Sequence, residues 1–246
     1  MKQKILFFIL FIGLCVQFSY GQLSTLPSYN VSSYKPYGWI YFNRHTTDVG
    51  DLFTTYKNSF FNQPGDSMEL VRVWEDRLLN LDHYLYQQCY MGIPVEGCQF
   101  IEHANEDDMV YANGKICPDI YRIYEERTIT SEEAFENLLE GDEYWEKYIK
   151  ALDWIAEIPF DEYSIDDAIF AWEDPSWEAA LKVETGDSNA TYYPEGELVF
   201  GLTNFNNIQY NMDPSDYRLA WKFDIVCLFP DIHVEVYVDQ GYRINF

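Results

Sequence analysis

Four histidines, His45, His83, His103 and His233, are the imidazoles this chain could offer to a metal or a general base. No two stand four residues apart, so no helix face carries a ligand pair, and no HExxH is present. Glu102-His103 is followed by nothing at ligand spacing. A GxSxG nucleophile turn and a phosphate-cradling glycine loop are also missing. Acidic pairs abound, such as Glu125-Glu126 and Asp166-Asp167, but none sits in an EF-hand loop. In so acidic a chain they are expected as solvated faces. The sequence therefore nominates no catalytic residue, no metal ligand and no cofactor.

Cysteines are the remaining reactive group. Cys89, Cys98, Cys117 and Cys227 lie beyond the N-terminal leader and form no CxxC. In an oxidising compartment they are candidates for disulfides, with three connectivities open. One is disfavoured. If Met91-Gly92 is a two-residue hairpin turn, Tyr90 faces Ile93 and Cys98 faces Leu85. Cys89 and Cys98 would then be about 13 Å apart, too far for a bridge that needs Cα atoms within about 7 Å.

These groups must be positioned by a fold, and the pattern of the chain predicts one. Lys2 and Lys4 precede an apolar run of about a dozen residues, short of the roughly 20 that span a bilayer. Small residues, Ser19 and Gly21, precede Gln22. Residues 1–21 are thus expected to be a secretory signal peptide cut between Gly21 and Gln22. Leu14 before Cys15 makes a poor lipidation site. Residues 22–46 show no period and are expected as an extended arm. Asp48 to Phe60 is expected as a short helix, with Val49, Leu52, Phe53 and Tyr56 on one face. Residues 62–66 read as a turn.

From Met68 to Ile120 the period drops toward two, with turns expected at Met91-Gly92 and Asn113-Gly114, so this stretch reads as an antiparallel sheet. Thr130 and Glu133 form a capping box that opens a helix with Ala134, Phe135, Leu138 and Leu139 on one face. Asp142 is expected to cap a second helix with the stripe Trp145, Tyr148, Ile149, Leu152, Ile155 and Ala156. Strands return at 197–202, 217–228 and 233–238. The fold class expected is α+β, an antiparallel sheet module followed by helices packed on a second antiparallel sheet, split near residues 124–130.

Composition narrows the partners. Of 246 residues, 48% are hydrophobic, enough for a substantial core, and the 18% aromatic content favours β-rich packing. Sixteen basic residues against 41 acidic ones give a net charge of −25, which argues against nucleic acid or an anionic membrane surface as a partner. No stretch after the leader is long and apolar enough to be a membrane anchor, so a secreted or periplasmic protein is expected.

Residues 83–97, with Tyr86-Gln87-Gln88 and Gly92-Ile93-Pro94-Val95-Glu96-Gly97, resemble the signature hairpin of the fungalysin/thermolysin propeptide module. The likeness continues through YANGKI at 111–116, the SEEA helix start at 131–134, YYPEGELV at 192–199, YRLAWKFDI at 217–225 and VYVD at 236–239. It covers about residues 48–245. The resemblance implies a propeptide-like module at 47–126 and a PepSY-like helical and sheet module at 127–246, after the leader and the arm. It also implies a protein that binds a thermolysin-like metallopeptidase as inhibitor or folding helper and has no catalytic residues of its own. Truncated remnant of such a precursor and secreted binding module are the alternatives. The family carries a catalytic domain after the final strand, and this sequence ends at Phe246. Cys89 and Cys98 stand where the family more often has other residues. Within the hairpin, Ile93, Pro94 and Val95 are expected in the sheet core. The candidate peptidase contacts are Gln88, Glu96 and the terminal residues Tyr242, Arg243, Ile244, Asn245 and Phe246.

Overall fold

The computed structural model describes residues 26, 30–35, 39–61, 63–125, 128–140, 168–203, 213–229, 231–239 and 244–245. The chain divides into two compact units, residues 1–124 with 204–217, and residues 125–203 with 218–246. Among the described residues the fold is mostly sheet with two α-helices, broadly α+β.

The first unit contains β1 (Val31–Lys35), β2 (Trp39–Phe42), β3 (Asp66–Asp76), β4 (Leu81–Tyr90), β5 (Ile93–Asn105) and β6 (Asp108–Gly114). They pair antiparallel in the order β1-β2-β6-β5-β4-β3. β3 to β6 form a meander of consecutive hairpins, the arrangement that alternating patterns and short turns produce. At Met91-Gly92 both residues adopt left-handed φ, +54° and +78°, as a tight two-residue hairpin turn requires. Tyr90 faces Ile93, as the sequence indicates.

Three local expectations are corrected. Asn113-Gly114 is not a turn: Asn113 pairs with Ile101 and Gly114 with Phe100, and the chain reverses earlier, at Glu106-Asp107, between the paired Asn105 and Asp108. Glu106 takes the left-handed φ there. Gly114 serves a close approach instead, since a Cβ at this position would collide with the Gln99 carbonyl oxygen and the Phe100 backbone.

Residues 22–46 are not merely an arm. They supply β1 and β2, and β2 joins the meander through Ile40↔Ala112. The segment after Thr47 is a series of turns ending in a 3-10 helix at Lys57–Ser59 rather than a regular helix. Gly50 at φ +82° and a bridge from Asp48 to Asp108 hold it out of helical geometry. Its apolar face still packs as the spacing suggests. Leu52, Phe60, Ile40, Phe100, Met109 and Ala112 are fully or almost fully buried together, with Phe53 edge-on to Phe100 at 5.5 Å.

The second unit contains α1 (Ser131–Glu140), β7 (Ile169–Phe170), α2 (Pro175–Thr185), β8 (Glu197–Leu202), β9 (Tyr217–Phe229), β10 (Asp231–Asp239) and β11 (Ile244–Asn245). Tyr217, the first residue of β9, belongs to the first unit. β9 pairs antiparallel with β7 and β10, and β10 with β11. The capping box forms: the Glu133 amide donates to Thr130 Oγ1 at 3.2 Å, and the Thr130 amide donates to a Glu133 carboxylate oxygen at 2.8 Å. Ala134, Phe135 and Leu138 of α1 pack on Trp221, Phe223 and Ile225 of β9. α2 was not anticipated, although its signals are in the chain. Asp174 caps it by accepting from the Ser176 amide at 2.8 Å, Pro175 opens it, and Gly186 ends it at φ +70°. The helix expected from Asp142 lies outside the described residues.

Ile40 is the test of whether the N-terminal segment belongs to the sheet. Ile40→Ala is expected to lower the unfolding free energy by about 2–5 kcal/mol, measured by urea denaturation. A change within about 0.5 kcal/mol, the range of surface substitutions, would return residues 22–46 to the status of an arm.

Candidate functional site

The signature hairpin is held by two adjacent glutamines pointing to opposite faces. Between Gln87↔Gln99 and Cys89↔Pro94 the β4–β5 ladder is interrupted, so residues 95–98 of β5 stand against the single residue Gln88. The bulge turns carbonyl groups away from the ladder, and Gln87 collects them. Its Nε2 donates toward the carbonyls of Val95 at 2.6 Å, Cys98 at 3.2 Å and Gln88 at 3.0 Å. Gln99 Nε2 donates to Gln87 Oε1 at 3.1 Å.

Gln88 is fully buried. Its Nε2 donates to the Cys117 carbonyl at 2.9 Å, and its Oε1 accepts the Cys117 amide at 2.7 Å. This side chain, a contact candidate by sequence, is spent on pinning the chain as it leaves β6. Val95 is buried, and Ile93, Pro94 and Glu96 are half-buried. Gly97 is exposed at φ +69°. The Glu96 carbonyl accepts the Tyr217 hydroxyl at 3.1 Å. In the tail, Ile244 and Asn245 pair with Val238 and Tyr237 of β10. Tyr242, Arg243 and Phe246 lie outside the described residues.

The expected Cys98–Leu85 register does not occur, because the bulge slips the ladder and Leu85 faces Ile101. All four described cysteines are buried free thiols. Cys89 pairs with Pro94, and Cys227 Sγ donates to the carbonyls of Phe229 at 3.0 Å and Ile169 at 3.4 Å.

One face of the sheet carries a row that sequence reasoning missed. Tyr41, Tyr111, His103, His83 and Trp74 occupy directly paired positions on five successive strands. Ring centroids along the row are 5.8, 4.2, 4.7 and 5.0 Å apart. His83 and His103 are buried, with their Nδ1 atoms 2.5 Å apart. His103 Nε2 lies 2.8 Å from Asn113 Oδ1 and donates to it. Its Nδ1 therefore accepts, and His83 Nδ1 donates. Burial, and secondarily the neighbouring His83, depresses the His103 pKa below its ordinary value.

On the opposite face Glu102 is fully buried. One carboxyl oxygen accepts the Gly50 amide at 2.8 Å, and the other has no hydrogen-bond partner among the described residues. Burial raises its pKa to about 7, and it raises that of Asp66 to about 6. No group of three or more His, Cys, Asp or Glu side chains is arranged to hold a metal ion among the described residues.

Residues 66–114 match the family model described as the Fungalysin/Thermolysin Propeptide Motif. The match begins at the first residue of β3 and ends at the last of β6, so the motif is the four-stranded meander itself. No curated protein matches the chain. The motif is non-catalytic and is associated with secreted thermolysin-family proteases, so this region is propeptide-like.

The buried carboxyls set a pH dependence. A carboxyl whose folded pKa is raised contributes stability below its unfolded value near 4, and that contribution is lost as pH rises through about 6 for Asp66 and about 7 for Glu102. His103 acts oppositely: its contribution is present above about 6.5 and lost as pH falls through its depressed pKa. Glu102→Gln is expected to leave stability at pH 5 little changed and to raise it at pH 8 by on the order of 2 kcal/mol. Parallel stability–pH curves for variant and parent would refute the buried carboxylate.

Proposed function

We propose that this chain is a secreted propeptide-like protein that binds a thermolysin-like metallopeptidase as inhibitor or folding helper, with no catalysis of its own. The observation that carries this reading is the coincidence of the propeptide motif with one complete β meander. The general physics is mass action: a surface that binds only the native peptidase stabilises it and fills its cleft. Under this reading residues 1–21 are a signal peptide removed before Gln22, 22–46 lead into a propeptide module at 47–126, and 127–246 form a PepSY-like module.

Glu96 and residues 242–246 remain the contacts suggested by sequence. The meander adds a third surface. β3 pairs only with β4 among the described strands, and Leu70, Val71 and Val73 are 53%, 59% and 49% exposed along it. An apolar strand with a free edge suits pairing with another protein's strand, here a peptidase.

The mature chain, from Gln22 onward, should inhibit a thermolysin-type zinc peptidase stoichiometrically in a slow peptide-substrate assay and survive intact. Absence of inhibition and of a complex by gel filtration would overturn the proposal. Val71→Asp is expected to weaken inhibition at least tenfold, about 1.4 kcal/mol, with an unchanged melting temperature. Equal inhibition by this variant would remove the β3 edge from the contact surface.

A further inference from the structure

The geometry points to a disulfide between Cys98 and Cys117, joining the signature bulge to the chain leaving β6. Both residues are fully buried in the first unit. Phe100 pairs with Gly114, and the ladder runs one step further, where the Lys115 amide donates to the Gln99 carbonyl at 2.8 Å. Continuing the ladder sets Cys98 across from Ile116, one residue from Cys117. Directly opposed residues in such a ladder have Cα atoms about 4.5–5.5 Å apart. Cys117 follows Ile116 beyond the end of β6 at Gly114, so its side chain is not committed to the far face that the continued ladder would give it. A disulfide accepts Cα separations of roughly 4.4–6.8 Å.

Side-chain direction agrees. Gln87 pairs with Gln99, so Gln88 and Cys98, each one position away, share the opposite face. Gln88 reaches from that face to both backbone groups of Cys117. Cys117 is therefore held over the face that Cys98 occupies, and its main-chain N–H also lies against the Cys98 sulfur. The Tyr217 hydroxyl, 3.2 Å from the Cys98 sulfur, closes the other side.

The remaining pairings fit less well. Cys89 is on the Gln87 face, opposite to Cys98, and Cys227 is in the second unit and donates to two carbonyls there. Burial pushes the Cys98 thiol up to about 12 and the Cys117 thiol higher still. Neither is a ready nucleophile once the protein is folded, so the bond forms while the chain is folding. The oxidant is a small disulfide such as oxidised glutathione. A protein thiolate attacks it, forming a mixed disulfide and releasing one glutathione thiolate. The second cysteine displaces the other glutathione. Two S–H bonds are lost, one S–S bond forms, and two glutathione thiols carry away the two protons and two electrons.

The experiment refolds the mature chain in a glutathione redox buffer, alkylates the free thiols, and maps peptides by mass spectrometry. Two alkylated cysteines, Cys89 and Cys227, and a linked pair of peptides bearing Cys98 and Cys117 are expected. A C89S/C227S variant should form the same link, and reduction should lower its melting temperature by about 5–10 °C. Four alkylated cysteines after oxidation, or a link through Cys89 or Cys227 in the parent chain, would overturn the assignment. The outcome is independent of whether the chain inhibits a peptidase.

Discussion

The satisfaction of backbone polar groups around one bulge governs the first unit. Four residues of β5 against one of β4 leave carbonyls with no ladder partner on β4, and a buried orphan carbonyl costs about 1–3 kcal/mol. Gln87 satisfies the Val95 and Cys98 carbonyls of the bulge, and Gln88, on the opposite face, satisfies the backbone amide and carbonyl of Cys117 as the chain leaves β6. Glutamine suits both places, because its amide carries two donors and an acceptor on an uncharged side chain. A carboxylate could only accept, and a lysine could only donate. The two adjacent glutamines of the signature are thus explained by hydrogen-bond accounting before any partner is considered.

The same bulge explains how far the sequence could be read. The tight turn at Met91-Gly92 and the Tyr90–Ile93 pair were legible from turn chemistry. Beyond Gln88 the register could not be extrapolated, because the ladder slips by an odd number of residues between Cys89↔Pro94 and Gln87↔Gln99. An odd slip exchanges the two faces of the strand. His83 therefore meets His103, whereas an uninterrupted hairpin would place it against Phe100. Spacing along the chain contains no trace of that meeting. Asn113-Gly114 misled for a related reason. Its glycine meets a steric demand across the ladder rather than a conformational demand in a turn.

Local signals fared better where a single element decides. The capping box at Thr130 set the start of α1, and the apolar spacing around Leu52 identified a buried face even though the segment is not helical. Long-range pairing was the blind spot. The contribution of residues 31–42 to the sheet depends on β6, some seventy residues away, and no period in that segment announces it. Candidate contacts divided along the same line. Gln88 was conspicuous in sequence because of the resemblance, yet it is internal. The exposed edge of β3 lies outside the signature hairpin and became visible only once its neighbours were known.

The transverse row from Tyr41 to Trp74 has an optical consequence. Tyr41 and Tyr111, with ring centroids 5.8 Å apart, are close enough for their transition dipoles to couple, whereas the two imidazoles between Tyr111 and Trp74 do not absorb in the near ultraviolet. Near-ultraviolet circular dichroism should therefore report on the pairing of β2 with β6 through the two tyrosines, and separately on the surroundings of Trp74 at the β3–β4 pair. Trp74 terminates the row beside His83, and a protonated imidazole withdraws excited-state electron density from an indole that a neutral one leaves emitting. Trp39 stacks on His103 at 6.3 Å, so two of the chain's seven tryptophans lie against the histidine pair.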